Sequence, residues 1–255
     1  MPKTVVEAKV VGQRVLNSST KLLEIYAPAI AAGAVPGQFV NVRASRHTAP
    51  LLRRPFGVAG VNPDYGTFTV IYRILGEATR MLAEVCSGDA LSIVGPLGNG
   101  FDLKAKRPLL VGGGLGLAPL LFLAENFKDR STSVLMGGRS VEELFWTQLY
   151  EGLCMDIFLT TDDGSAGTQG TVMALLPQLL AERQYDCVYV CGPVPMMRAV
   201  ALECSAKGTA CQVSLEKYMA CGLGACLSCA FQGLSGRKKV CKDGPVFWSE
   251  EVLEW

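Results

Sequence analysis

Four cysteines, Cys221, Cys226, Cys229 and Cys241, are the residues whose type and spacing point most directly to chemistry. Four residues separate the first two, two separate the second from the third, and eleven precede the fourth. Thiolates at this spacing wrap a [2Fe-2S] cluster of the plant type and carry single electrons. A loop that curls around such a cluster must let backbone N–H groups approach the sulfurs, and Gly222, Gly224 and Ala225 are small enough to allow it. The run from Phe231 to Lys239, with Gly233, Gly236 and the basic tip Arg237-Lys238-Lys239, reads as a hairpin that returns Cys241 to the metal. Structural zinc and four unrelated buried thiols are the alternatives. Zinc sites usually use two short cysteine pairs, so the spacing favours the cluster.

Two further groups of residues could bind nucleotides. Arg53, Arg54, Pro55 and Phe56 precede Gly57, and Tyr72-Arg73 leads into Gly76, Ala78 and Thr79. Arginine pairs with a pyrophosphate, Tyr72 could lie along a flat ring, and a helix beginning near Ala78 would turn its N-terminus to anionic oxygen. An Arg-Pro strand edge and a capped helix would look the same. Gly112, Gly113, Gly114 and Gly116 follow an apolar run, and Cys191-Gly192-Pro193 follows another. The glycine run is an incomplete GxGxxG fingerprint, because Leu117 stands in the third glycine's place, so it could equally be a tight turn in a packed sheet. Cys191 could lie near a nicotinamide or be a small buried residue at a strand end. The single histidine, His47, in a polar segment expected to be a surface loop, excludes multi-histidine metal sites and makes acid–base triads improbable. No residue is assigned a catalytic role of its own; the chemistry falls to cofactors that the protein binds and orients.

The elements that would position these residues change character along the chain. Up to about residue 105 the pattern is short strands with turn signals, Val5–Val11, Lys21–Tyr26, Gln38–Val42, Thr67–Arg73 and Ala90–Val94, which suggests a small antiparallel β-barrel. After the basic linker Lys104–Pro108, strands at Leu109–Val111, Ser133–Met136, Asp156–Thr160, Cys187–Val190 and Thr209–Val213 alternate with helices near Leu117–Phe127, Val141–Tyr150, Val172–Arg183 and Val194–Lys207. This is the pattern of a doubly wound parallel sheet, which binds ligands at the carboxyl ends of its strands. The expected organisation is a barrel over 1–105, an α/β domain over 106–214 and a small cysteine-rich domain over 215–255.

Composition narrows the partners. A net charge of +1 argues against nucleic acid. Ten cysteines scattered over 255 residues, without a signal-peptide core in Met1–Val10, suggest a reducing, cytoplasmic setting. The uncharged run Pro108–Ala124 is short and glycine-rich for a membrane span. A mean hydropathy of +0.28 suggests apolar surface covered by cofactor or by another subunit.

Arg54-Pro55-Phe56-Gly57, Tyr72-Arg73, Ala78-Thr79, Gly95-Pro96-Leu97-Gly98, the Gly112–Gly116 run, Cys191-Gly192-Pro193 and the cysteine loop occur in one order that resembles the ferredoxin-NADP reductase superfamily. Glu216, Met219, Cys221–Cys229 and the ending Cys241–Phe247 look like the electron-transfer subunits of type B dihydroorotate dehydrogenases within it. The resemblance implies FAD in the barrel, NAD in the α/β domain and a C-terminal [2Fe-2S] cluster. It also implies a separate FMN-bearing catalytic subunit that oxidises dihydroorotate for pyrimidine synthesis, in a heterotetramer with two copies of each chain. It would put Arg54, Pro55, Phe56, Gly57, Ile71, Tyr72 and Arg73 on the flavin and its phosphates, with Ala78 and Thr79 at the pyrophosphate and Gly76 among the cofactor-binding residues. Two positions depart from the pattern: Gly57 replaces a common hydroxyl residue, and Ala78 a common glycine.

The cofactor set has a logic of its own, since nicotinamide exchanges a hydride and an iron-sulfur cluster a single electron, so a flavin must convert between them. NAD is expected over NADP because Arg139 stands alone after the second α/β strand, soon followed by Glu142 and Glu143, with Asp162-Asp163 after the third. Competing readings are a related subunit serving ferredoxin, a hydrogenase or a sulfide-linked partner, and a non-enzymatic redox sensor or zinc module. The last leaves both nucleotide-binding edges unexplained.

Overall fold

The structure, a computed structural model, describes residues 4–46, 49–128, 130–252 and 255, so His47 lies outside the described residues. The chain divides into two compact units: residues 1–100 with 216–231 and 238–245, and residues 101–215 with 232–237 and 246–255.

The first unit is a closed barrel. Its strands are β1 (Thr4–Val15), β2 (Thr20–Tyr26), β3 (Phe39–Arg43), β4 (Arg54–Asn62), β5 (Thr67–Arg73) and β6 (Ala90–Leu97), with helix α1 (Pro28–Ala31) after β2 and α2 (Glu77–Ala83) after β5. The barrel order is β1-β2-β5-β4-β3-β6, and every pairing is antiparallel. Alternating residues of these strands point inward: Leu23, Ile25, Val40, Val42, Val58, Phe68, Val70 and Ile93 are fully buried. Closure removes the free edges that strands of this kind would otherwise expose. Five strands fall where the sequence pattern puts them. The sixth, β4, begins at the Arg54–Gly57 segment; Pro55, Gly57 and Gly60 interrupt its alternation and hide it from a pattern reading.

The second unit is the doubly wound sheet. Its strands are β7 (Pro108–Gly113), β8 (Ser133–Gly138), β9 (Asp156–Thr161), β10 (Thr168–Gln169), β11 (Cys187–Cys191) and β12 (Ala210–Ser214). Helices α3 (Leu117–Phe127), α4 (Thr147–Tyr150), α5 (Leu176–Glu182) and α6 (Val194–Lys207) connect them. The expected single helix over Val141–Tyr150 is a 3₁₀ turn, Val141–Leu144, followed by the short α4. That over Val172–Arg183 is likewise split, because Pro177 starts α5 afresh. Near the C-terminus, β13 (Ala230–Gly233) and β14 (Gly236–Lys239) form the expected hairpin, α7 (Val240–Asp243) carries Cys241, and β15 (Val246–Trp248) pairs antiparallel with β12. The sheet order β10-β9-β8-β7-β11-β12-β15 is parallel except at β15, a three-residue strand too short to show a sequence pattern. From β7 the chain winds outward through β8 and β9, then returns to place β11 on the other side of β7. The boundary between β7 and β11 is therefore the topological switch point, where sheets of this type bind ligands.

Candidate functional site

The cysteine loop is shaped by backbone conformations that glycine makes available. Gly222 and Gly224 lie in the left-handed region, with φ of 67° and 89°. Leu227 shares that conformation at φ 63°, the one described non-glycine residue to do so. A left-handed leucine costs about 1–2 kcal/mol, so the loop is bent here against intrinsic preference. The bend brings N–H groups to sulfur: Leu223 N–H donates to Cys221 Sγ at 3.3 Å, and Cys241 N–H to Cys229 Sγ at 3.5 Å. Lys239 Nζ donates to Gly224 O at 3.0 Å and the Lys239 N–H to Asp243 Oδ2 at 2.7 Å. Lys239 thus braces the loop, a role beyond the partner steering or solvated hairpin tip that its basic run suggests; nothing in the local pattern marks it out.

The four thiols meet as two pairs. The thiols of Cys221 and Cys226 influence each other's ionisation, as do those of Cys229 and Cys241. The Ser228 hydroxyl, 3.2 Å from Cys226 Sγ, and the Ser228 N–H pull the Cys226 thiol down to about 6. Burial pushes Cys221 up, but the N–H groups of Leu223, Cys226 and Ala225 outweigh it and hold the thiol below its ordinary value. Burial and the neighbouring Cys229 push Cys241 up to about 12. Among the described residues no three His, Cys, Asp or Glu side chains converge on one point. A two-iron cluster takes two thiolates per iron, whereas a structural zinc takes four on one ion, so two pairs with N–H donors aimed at sulfur suit the cluster.

The loop lies on the barrel. A Cβ on Gly222 would fall 2.0 Å from Asn41 Nδ2 in β3, and one on Gly98 2.5 Å from Pro245 Cδ. The Asn99 N–H donates to Gly244 O at 2.6 Å, and its side-chain amide to Asp243 O at 3.0 Å. In the ladder Asn41 faces Pro55 and Val42 faces Arg54, so the cysteine loop rests on the strand that pairs with the Arg54–Gly57 segment.

Within that segment Arg53 is structural, its guanidinium donating to Ser92 O at 2.5 Å and to Ser92 Oγ at 2.9 Å. Arg54 Nη1 makes a local bond to Leu52 O at 2.5 Å. Ile71 and Tyr72 are buried; the Tyr72 hydroxyl donates to Gln13 Oε1 at 2.7 Å, and its ring tilts against Phe56 with centroids 5.7 Å apart. The ring expected to lie along a flat ligand is thus enclosed in the barrel, where burial drives its phenol well above the ordinary value. Arg73 Nε is buried without a hydrogen-bond partner among the described residues, a donor that an anionic ligand would satisfy. Gly76 caps α2, Ala78 is buried beneath it, and Thr79 Oγ1 accepts the N–H groups of Leu75 and Gly76 at 2.9 and 3.0 Å. Thr79 therefore shapes the turn rather than presenting a free hydroxyl.

In the second unit the two glycine turns meet at the switch point. A Cβ on Gly112 would lie 2.3 Å from Leu117 Cδ2, and one on Gly116 2.2 Å from Cys191 O. One on Gly113 would press on Met196 and Pro193, and one on Gly192 on Met196. These glycines let α3 and α6 approach the strand ends. Gly114 has φ 56°, and a Cβ there would meet nothing within 4 Å, so this glycine faces open space. Cys191 is 1% exposed, with Sγ 3.8 Å from Ser214 O, so it is a packed strand-end thiol.

The turn after β8 carries the charge pattern. Arg139 Nε and Nη2 both donate to Glu143 Oε1, at 2.8 and 2.5 Å, and the Arg139 N–H donates to Glu143 Oε2 at 3.0 Å. The Asp163 N–H in turn donates to Arg139 O at 3.2 Å. The lone cation is engaged by a carboxylate, and the acidic pair lies against it.

A barrel joined in sequence to a doubly wound sheet, with glycine turns at the switch point, defines the ferredoxin reductase class of flavin-dependent electron-transfer proteins. The chain aligns over its full length with 92% of a chain from a study of flavin-based electron bifurcation in NADH-dependent reduced ferredoxin-NADP oxidoreductase, at a TM-score of 0.88 and 31% identity. It also matches a ferredoxin reductase of carbazole 1,9a-dioxygenase in fold, with TM-score 0.70 and 24% identity over 82% of this chain and 67% of that one. Residues 216–253 match the iron-sulfur cluster binding domain of dihydroorotate dehydrogenase B. The dihydroorotate dehydrogenase B (NAD(+)) electron transfer subunit of Caldanaerobacter subterraneus subsp. tengcongensis is 42% identical over 86% of this chain and 87% of its own length. That of Desulforamulus reducens is 37% identical over 98% of each. The chain belongs to the family of dihydroorotate dehydrogenase B (NAD(+)) electron transfer subunits.

Proposed function

We propose that this chain passes electrons from the FMN of a dihydroorotate-oxidising partner subunit, through a [2Fe-2S] cluster and FAD, to NAD+ in pyrimidine synthesis. Bound flavin supplies the conversion between single electrons and hydride. Cys221, Cys226, Cys229 and Cys241 hold the cluster. Arg54, Pro55, Phe56, Gly57, Ile71, Arg73 and Gly76 serve the flavin, with Arg73 Nε the buried donor for its anionic part, while the buried Tyr72 and Ala78 and the turn-bound Thr79 hold those segments in shape. Gly112–Gly114, Gly116 and Cys191–Pro193 line the dinucleotide edge, and Arg139, held by Glu143, is poorly placed to bind a 2′-phosphate.

The observation that carries the reading is the seating of the cysteine loop, through Gly222 on Asn41, against the strand paired with Arg54–Gly57. Cluster and flavin residues thus share one compact unit. Tyr218, 96% exposed, with Leu223 and Leu227 also exposed on the same loop, offers apolar surface for the partner. The assembly is a heterotetramer of two chains of each kind, in a reducing cytoplasm that keeps the thiols free. No described helix is long and apolar enough to cross a membrane.

The test is a visible spectrum with flavin, iron and sulfide analysis of the protein copurified with its partner. One FAD and two irons per chain are expected. Stoichiometric zinc without iron would overturn the cluster, and absence of flavin the electron path.

A further inference from the structure

Asn41 is buried in β3, with 1% of its surface exposed, and neither Nδ2 nor Oδ1 has a hydrogen-bond partner among the described residues. Buried carboxamides are normally satisfied; an orphan one marks a place where something else completes the bonds. The residue also follows a register shift between β3 and β6, where Phe39 faces Leu97 but Asn41 faces Val94, so β6 carries one residue more than β3. Such irregularities re-aim side chains and gather near functional sites. Here the side chain is aimed at the cysteine loop. Its Nδ2 stands where a Cβ on Gly222 would come within 2.0 Å, directly after the ligand Cys221. On the opposite side of the ladder stands Pro55, in the flavin segment.

We propose that Asn41 sets the potential of the iron-sulfur cluster by donating a hydrogen bond from Nδ2 to one of its sulfurs, either Cys221 Sγ or a bridging sulfide. The proposal rests on the cluster reading above. A carboxamide is suited to this place because it donates without carrying charge into a buried site, where an unpaired lysine or arginine would be costly. Hydrogen bonds to sulfur stabilise the reduced, more negative cluster and therefore raise its potential. Glycine at 222 is what lets the amide come this close.

The experiment compares the full-length holoprotein with Asn41→Leu, which keeps the volume and removes the donor, and Asn41→Ser, which keeps a smaller donor. Iron, sulfide and FAD contents are measured, and cluster and flavin midpoints are followed in a potentiometric titration monitored by electron paramagnetic resonance and absorbance. Asn41→Leu should move the cluster midpoint to more negative values and leave the flavin midpoint unchanged, with Asn41→Ser between it and the wild type. An unchanged cluster midpoint, or a shift confined to the flavin, would overturn the proposal. If Asn41→Leu loses iron but keeps FAD, iron restored in Asn41→Ser supports the donor, and iron still missing there refutes it. A wild type without a [2Fe-2S] signal would sink the cluster reading itself, a result distinct from all of these.

Discussion

At the scale of single residues, the cysteine loop shows how little room a metal-binding turn leaves. Gly222 must take a left-handed conformation and also leave space for Asn41 Nδ2. An alanine there faces about 1–2 kcal/mol of backbone strain and a contact far inside van der Waals distance. Gly222→Ala should therefore lower iron and sulfide content while FAD, held by other residues, is retained; full iron loading in that variant would contradict the packing described. Leu227 is the converse case, a leucine where glycine would be less strained. Neither Asn41 nor Leu227 stands out in the sequence, because an asparagine in an apolar strand and a leucine between cysteines look like ordinary neighbours. The cysteines themselves were legible because four thiols at this fixed spacing leave few other meanings.

At the scale of elements, the proposed preference for NAD rests on the turn after β8. The sequence exposed the acidic surroundings of Arg139, but only the fold shows Glu143 holding its guanidinium and the Asp162-Asp163 turn bonded back to Gly138 and Arg139. NADH should be used much more efficiently than NADPH. Glu143→Gln, which removes the charge that holds Arg139, should narrow the gap by roughly two- to fivefold, as befits an exposed ion pair. Steady-state kinetics with both nucleotides checks this, and an unaltered ratio would show that Arg139 plays no part in the choice. The helices beside this sheet illustrate the limits of pattern reading. Leu117–Phe127 and Val194–Lys207 appear with their expected bounds, whereas Val141–Tyr150 and Val172–Arg183 are each split between a 3₁₀ turn and a short α-helix. An apolar period of 3.6 does not register such interruptions.

At the scale of the molecule, buried charge and the redox centres govern behaviour that the whole chain shows in solution. Glu125 on α3 is half-buried, and burial pushes its carboxyl up to about 7 against a partial offset from Lys128. A carboxyl whose folded pKa lies above its unfolded value binds more protons in the native state. Stability from this group is therefore full below the unfolded value near 4.5 and is lost as pH rises towards 7. Denaturant unfolding between about pH 5 and 8 should show this decline, and Glu125→Gln should flatten it. The electron path gives a second expectation. Cys226→Ser should remove or damage the cluster and leave NADH-dependent reduction of a small artificial acceptor intact. Mixed with the catalytic subunit, it should fail to support dihydroorotate-dependent reduction of NAD. Full coupled turnover without the cluster would exclude the proposed route.

The amino-acid sequence by itself determined the class of architecture, the spacing of the four cysteines and the order of the segments proposed to bind nucleotide. These depend on residue type, spacing and periodicity, which are local properties of the chain. What only tertiary structure decided is which of those residues are enclosed or tied down within the fold. Tyr72 is enclosed against Phe56 and Gln13, Thr79 ties down its own turn, Arg53 is bound to Ser92, and Cys191 packs at a strand end. The physical reason is that burial and hydrogen-bond partnership are set by groups distant in sequence: Gln13 and Tyr72 are brought together by the closed barrel, Asn41 and Gly222 by the return of the cysteine loop to β3.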